Sequence, residues 1–395
     1  MGFRSRRKKK AANKKRKQRI GKTSIKDLPI DISLNILKRL PKTSLFSVRL
    51  VCKAFYQLVG HPTLSPHCQD LLKKPHWVIF RNLSSYIDKP YHNNQLYLVD
   101  NWRVVKRIIH PRIKKKFKPG PILSSNGLLC LLFYKDKHSY LDYYRACLFN
   151  PLTGKHDFLP DPGLPRVRES NHSGTIRCSN QFFGFGFDAR TEEYKLVRIL
   201  RFSFKTFRTC LQAEMFTCGQ NGCRIFEIAP PFICPDQSSD VVVGGAIHWL
   251  CDDENSTWFD PKPRIILSFN LFEEKFHEIS KPDCEIVEIY KISVLGGCLA
   301  ITGASSERYG SHEVDIWLWK EYGVRESWTK EFVIKESIGR LSPLFLLNSG
   351  KIVLFDHSKG LNSYDTNRDC CEDYAKLNQS IVAIGHAPSL VSPSF

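Results

Sequence analysis

A glycine-centred turn followed by an apolar strand recurs along most of this 395-residue chain. It is written NGLLCLLF from Asn126, GGAIHWL from Gly244, GGCLAIT from Gly296 and SGKIVLF from Ser349. Glycine supplies the positive φ that a tight hairpin turn requires, so each motif reads as a turn between two strands. The second glycines at 245, 297 and 350 are spaced by 52 and 53 residues, whereas 127 to 245 is 118, close to twice the period. One weakly marked repeat therefore sits inside the wide gap. A unit this short cannot bury its own faces and must stack on its neighbours.

A second element follows each turn motif. CLFNPLTGKHDFLP from Cys147, ILSFNLFEEKFHEI from Ile266 and DIWLWKEYGVRESWTKEF from Asp315 each read as strand, polar turn, strand. SYDTNRDCCEDY from Ser363 is a fainter copy, and FGFGFDARTEEYKLVRI from Phe183 falls in the same class, inside the wide gap. Repetition near fifty residues with four short strands per unit predicts a kelch-like β-propeller. Closing the ring would also remove the exposed edge of an open sheet.

The amino-terminal part is different. LPIDISLNILKRLPKTSLFSVRLVCKAFYQLV, from Leu28 to Val59, packs three short apolar-periodic segments into about thirty residues. Ile32, Ile36, Leu37 and Leu40 fall at helical intervals behind Pro29, with Asp31 at the end where a carboxylate favours the helix dipole. Pro41 stops that helix. Thr43 or Ser44 can cap a second segment carrying Leu45, Val48 and Leu50, and a third carries Val51, Ala54, Phe55, Leu58 and Val59. A ~40-residue unit rarely holds itself together without a metal, a disulfide or a partner. Some of these side chains must face another protein.

This segment resembles an F-box, through Leu28-Pro29, Ile36-Leu37, Leu40-Pro41, Ser44-Leu45, Val51-Cys52-Lys53 and Phe55. The family often has Glu where Asn35 stands, Arg where Ser47 stands and Trp where Phe55 stands. The resemblance implies docking to a Skp-type adaptor within a cullin–RING ubiquitin ligase. The side chains expected to carry docking, or to hold the helices together for it, are Leu28, Pro29, Ile32, Ile36, Leu37, Leu40, Pro41, Leu45, Val51, Cys52 and Phe55. Beyond it, LFNPLTGKHDFLP, FGFGFDARTEEYKLVRI, GGAIHWL, ILSFNLFEEKFHEI, DIWLWKEY and GHAPSLVS stand in the order of the F-box-associated interaction domain of plant-type F-box proteins. That resemblance covers roughly residues 98 to 392 and implies a β-domain that binds the protein to be ubiquitinated. The basic run Arg112 to Lys118 and the acid-poor segment Arg198 to Arg208 depart from the pattern.

The fold class expected is therefore α+β multidomain: a three-helix F-box followed by a large all-β domain. The layout is a basic arm at 1–22, the F-box at 23–67, a linker at 68–97 and the β-domain at 98–392. Hydrophobic residues at 42% and charged residues at 25% suit a folded chain. No apolar run approaches the ~20 residues that cross a bilayer, so no membrane partner is expected. Fourteen scattered cysteines without a Cys-x-x-Cys pair read as small core hydrophobes, and neither a metal nor a cofactor is expected.

Between Arg4 and Arg19 stand eleven basic residues and no acidic one, more than half of the net +20. Such an arm repels itself and has nothing to bury. Its two clusters, Arg6, Arg7, Lys8, Lys9 and Lys10, then Lys14, Lys15, Arg16 and Lys17, read as a nuclear localisation signal. A salt-sensitive nucleic-acid tether, joined by the 112–118 patch, and a plain solubilising tail are the other readings. The nucleus is the expected compartment, with the cytoplasm second.

No G-x-S-x-G elbow, phosphate loop or H-E-x-x-H occurs. Gly184-Phe185-Gly186 reads as a tight strand, and Asp252, Asp253 and Glu254 as a solvated loop. Trp249, Trp258, Trp317, Trp319 and Trp328 read as core between repeats, with rim anchors as the other reading. A noncatalytic receptor whose target is unspecified is the function expected, and a nucleic-acid-binding protein is the alternative.

Overall fold

The computed structural model describes residues 28–39, 77–82, 96–100, 103–108, 111, 117–135, 143–160, 177–203, 209–228, 237–251, 264–282, 288–304, 313–335, 341–347, 349–356, 360–376, 381–389 and 391–393. The chain divides into two compact units, Met1–Lys74 and Pro75–Phe395. Of the three helices expected between Leu28 and Val59, one lies within the described residues, α1 (Ile30–Lys38). It starts behind Pro29, whose φ of −51° and extended ψ of 143° lie outside the helix. The carbonyl of Pro29 accepts the amide of Ser33, and Asp31 sits in the first turn.

The second unit is a β-propeller of six four-stranded blades. The first blade takes β1 (Trp77–Asn82), β2 (Leu96–Asp100) and β3 (Arg103–Ile108) from the start of the unit. The second is β4 (Lys118–Ser125), β5 (Leu128–Lys135), β6 (Tyr143–Phe149) and β7 (His156–Phe158). The third is β8 (Arg177–Asp188), β9 (Glu193–Ser203), β10 (Thr209–Thr217) and β11 (Arg224–Ile228). The fourth is β12 (Val241–Val243), β13 (Ala246–Cys251), β14 (Ile265–Asn270) and β15 (Lys275–Ile279). The fifth is β16 (Glu288–Leu295), β17 (Cys298–Ala304), β18 (Val314–Trp319) and β19 (Trp328–Ile334). The sixth is β20 (Leu341–Leu346), β21 (Lys351–Asp356), β22 (Gly360–Asp365) and β23 (Cys370–Lys376). The last strand, β24 (Ile381–His386), pairs antiparallel with β1 and completes the first blade, from Trp77 opposite His386 to Asn82 opposite Ile381. One blade is thus made from both ends of the unit, which ties the ring shut.

The first strands of successive blades, β4, β8, β12, β16, β20 and β24, touch in that order, and β24 returns to β4. They line the axis. Apolar clusters fill the seams between blades. Phe185, Leu196 and Leu148 lie between the second and third, and Trp249, Val197 and Phe269 between the third and fourth. Burial of such side chains, at about 25 cal/mol per Å² of apolar surface, is what holds one blade to the next.

The four glycine turns of the sequence all join the first strand of a blade to its second. Asn126-Gly127, Gly244-Gly245 and Gly296-Gly297 hold positive φ at both positions, the geometry that matches the twist of a two-residue hairpin. The second repeated element is the hairpin from third to fourth strand. Its turn is set by one side chain: Asn150, Asn270 and Asp365 each accept the amides two and three residues on.

The repeat inside the wide gap is the third blade, and here one expectation is corrected. FGFGFDARTEEYKLVRI is the hairpin of β8 and β9, the first two strands, not a third-to-fourth hairpin. Asp188 accepts the amide of Arg190 in the same side-chain-capped manner, so an identical local signal serves a different connection. Gly184 and Gly186 are there for packing. A Cβ on Gly184 would lie 2.1 Å from the indole of Trp249, and one on Gly186 2.8 Å from Leu271.

Candidate functional site

Two features stand out among the described residues, an exposed apolar patch in the first unit and a buried polar cluster in the second. The helix α1 buries one face and exposes another on which Ile32 and Ile36 stand beside Asp31 and Asn35. Ser33, Leu34 and Leu37 are buried, Leu37 to 2% exposure. Ile32 and Ile36, one turn apart, are 49% and 45% exposed, and Leu28 and Ile30 are exposed beside them. Together they make an exposed apolar patch on this helix. Among the residues the sequence nominated, Leu28, Pro29, Ile32 and Ile36 thus lie outward and Leu37 inward. Leu34, which the sequence reading passed over, is buried with Leu37 at the i, i+3 spacing of one helix face. Leu40, Pro41, Leu45, Val51, Cys52 and Phe55 lie outside the described residues, as do Arg6 to Lys17.

The propeller has two unlike ends. At one, four first-to-second connections are glycine turns and third-to-fourth connections run to the eight residues between β18 and β19. At the other, second-to-third and interblade connections range from three residues between β21 and β22 to eighteen between β7 and β8. All six second-to-third connections fall almost wholly outside the described residues, as do the 112–116 part of the basic patch, Asp252 to Glu254 and Trp258.

Polar groups gather along the axis. Asp240, just before β12, accepts the backbone amide of Ser124 on β4 at 2.8 Å, reaching past the third blade from the fourth to the second. Ser124 Oγ lies 2.9 Å from Nδ1 of His386 on β24. Lys291 on β16 faces Asp240 and lies 3.4 Å from the amide oxygen of Gln237. Burial raises the Asp240 carboxyl above its usual range, against the pull of the Ser124 amide and of Lys291. Burial also takes His386 down to about 3.

Serine, histidine and aspartate in one cluster invite a catalytic reading, and the geometry refuses it. Asp240 bonds the Ser124 amide and not the imidazole, so among the described residues these three do not form a serine–histidine–aspartate relay, and burial favours the neutral ring. The cluster bridges blades one, two, four and five. No sequence pattern announces it, since its members Ser124, Asp240, Lys291 and His386 stand on four different blades and neighbours along the chain are 51 to 116 residues apart.

The tryptophans belong to the seams. Trp249 donates to the Phe183 carbonyl at 3.2 Å, deep between two blades. Trp319 and Trp328 stack at 5.4 Å with planes 3° apart, and Trp317 packs on the same seam cluster as Trp319.

Residues 93–387 match the family model of the F-box associated beta propeller domain, and residues 25–66 match that of the F-box domain. The chain is 27% identical to F-box protein At3g07870 of Arabidopsis thaliana, with 86% of this chain and 85% of that protein covered. It is 26% identical to F-box protein CPR1 of the same plant, over 91% and 89%. F-box/kelch-repeat protein At3g23880, also of Arabidopsis thaliana, is 22% identical over 86% and 88%. The family model of the propeller domain covers most of the chain and agrees with the ring of blades: the chain belongs to the F-box proteins that carry an F-box-associated β-propeller.

Proposed function

We propose that the chain is the noncatalytic substrate-recognition subunit of a Skp–cullin–F-box ubiquitin ligase. In this reading α1 and its F-box neighbours dock on a Skp-type adaptor, and the propeller holds the protein to be modified. The observation that carries it is the outward pair Ile32 and Ile36 on a helix whose other apolar face is already buried. A family match to the F-box over residues 25–66 supports the identity of the occupant. The chemistry is tethering: a bound target sees the charged conjugating enzyme at high effective concentration, and no bond is made or broken by this subunit.

The long connections at one end of the ring are the reading for the target face, since loops on a rigid scaffold carry recognition. The basic arm is the reading for nuclear import. Replacing Ile32 and Ile36 together by Glu should abolish capture of a Skp-type adaptor while the propeller melts as before. Adaptor capture that survives both charges removes the assignment. Deleting residues 1–22 should leave adaptor capture intact and shift a fluorescent fusion from nucleus to cytoplasm. Loss of a salt-dependent nucleic-acid affinity on that deletion would favour the tether instead.

A further inference from the structure

The segment after β24 lies on the second blade as a peptide lies in a receptor. β24 has already closed the ring, and residues 387–389 and 391–393 add no strand to any sheet. They pass the turn at Gly127, between the first two strands of the second blade, and reach Asn150 at the turn between its last two.

Three features of the blade receive them. The backbone of Gly127 leaves a hollow that Ser389 fills, so that a Cβ there would stand 2.0 Å from the serine Oγ. The side-chain amide of Asn150 donates to two carbonyls of the segment, that of Ser389 at 3.0 Å and that of Val391 at 2.7 Å. Val391 itself packs on the apolar cluster between the second and third blades. Within the segment, the Val391 amide donates to Ser389 Oγ at 3.2 Å, so part of its shape is fixed before it meets the blade.

The choice of Asn at 150 belongs to this contact and not to the turn. Its oxygen caps the amides of Leu152 and Thr153, and Asp365 caps the corresponding turn of the sixth blade in the same way. A carboxylate at 150 would serve the turn equally well but has no N–H to give to a passing main chain.

We propose that this slot is a docking site for a linear segment of a partner protein, and that the chain's own residues 387–393 fill it until the partner arrives. The slot reads a serine, an aliphatic residue two positions later, and the carbonyls of both. Capture of main-chain groups together with a socket for one side chain is how short peptide motifs are recognised. The resident segment is tethered to β24, at an effective concentration on the order of millimolar. A target already held elsewhere on the ring presents its motif at a comparable effective concentration and so competes with it. That competition rests on the propeller as the target-holding part, whereas the test reads the slot directly, with neither adaptor nor target present.

The test is fluorescence anisotropy of a labelled peptide of residues 387–395 titrated into full-length chains. A chain carrying Val391→Asp, whose own segment no longer seats in the apolar seam, should bind the peptide saturably. The unaltered chain should bind it at least tenfold more weakly, because its slot is filled. Adding Asn150→Asp to the Val391→Asp chain, or placing Val391→Asp in the peptide, should each weaken binding at least tenfold. An unlabelled glycine nonapeptide that keeps only the serine and the valine at their spacing should compete for the slot. No saturable binding to a Val391→Asp chain that melts cooperatively overturns the proposal. So does full binding after Asn150→Asp or by the altered peptide, or failure of the glycine nonapeptide to compete. If the Val391→Asp chain does not melt cooperatively, a chain folded with its segment in place is cut at a protease site inserted between Ala387 and Pro388. The freed piece should then exchange for labelled peptide, and a piece that never exchanges overturns the proposal. A concentration-dependent dimer that Asn150→Asp dissolves also overturns it, because the occupant would then be the segment of a second copy.

Discussion

The side-chain amide of Asn150 donates to the carbonyl of Val391 at 2.7 Å and so fastens the carboxy-terminal tail to the second blade. The same amide reaches the Ser389 carbonyl at 3.0 Å, while its oxygen caps its own turn at Leu152 and Thr153. One fully buried side chain therefore spends all of its hydrogen-bonding capacity on two jobs. The tail lies close over the turn before β5, where a Cβ on Gly127 would meet Ser389 at 2.0 Å. The ring is closed twice, by β24 in the first blade and by this latch on the second.

Asn150→Ala is expected to destabilise the propeller by about 2–4 kcal/mol, because several partners lose their bond at once in a buried place. Removing residues 387–395 should cost a similar amount, and the two changes together little more than either, since they break the same latch. Thermal unfolding of the three variants measures this. Additive losses would show that Asn150 acts only on its own turn.

Gly184→Ala should destabilise by roughly 1–3 kcal/mol through overpacking against Trp249. The Trp249 ring has nowhere to retreat, since its N–H is bonded to Phe183 and the seam around it is full. Gly154→Ala, with open space around it but a φ of +73°, tests the other cost of a glycine and should lose about 1 kcal/mol. Chemical denaturation of both variants separates crowding from backbone strain.

Arg198 and Glu214 form a buried ion pair between the second and third blades, with Gln212 3.3 Å from the carboxylate. Glu214→Ala removes the carboxylate that the buried Arg198 guanidinium pairs with and should cost about 3–5 kcal/mol. The double change Arg198→Met with Glu214→Leu removes both charges and should be far milder than the single change. Melting temperatures in that order support the pair as mutually dependent, and a double variant worse than Glu214→Ala would contradict it.

Acid should destabilise the propeller before its carboxylates titrate. Burial lowers His248 from an ordinary 6.5 to about 4, and its ring is bonded to Tyr322 and to the Val241 carbonyl as the neutral form. Unfolding frees it to take a proton at 6.5. Stability from this group is therefore complete above pH 6.5 and falls as pH drops toward 4, by roughly 3 kcal/mol over that range. His386, lowered to about 3, adds a second proton in the same direction. Stability against pH should slope accordingly between 6.5 and 4, and His248→Gln should remove about one proton of that slope.

The hairpins were legible from neighbouring residues because strand alternation, glycine at positive φ and Asn or Asp capping the next two amides act within ten residues. Asn126-Gly127, Gly244-Gly245 and Gly296-Gly297 advertise their turns without help from the rest of the fold. The same locality explains the misplacement of FGFGFDARTEEYKLVRI. Asp188 caps its turn just as Asn150 does, and nothing nearby says which pair of strands it joins. The apolar residues of α1 were visible too, but their division into Ile32 and Ile36 outside and Leu34 and Leu37 inside was not, since Asp31 and Asn35 mark one solvated stripe without saying how far the exposed side extends around the helix.

Sequence alone thus determined the glycine turns, most of the hairpins that carry the fifty-residue period and the family of the amino-terminal segment, while 68–97 read as a linker although β1 (Trp77–Asn82) stands in it. Tertiary structure alone decided that there are six blades, that β24 returns to β1, that Asn150 holds the tail and that Asp240 reaches Ser124 across the axis. The physical reason is range. A turn is stabilised by atoms a few residues apart, whereas closing a ring joins residues some three hundred positions distant, and only the packing of every seam in between brings them together.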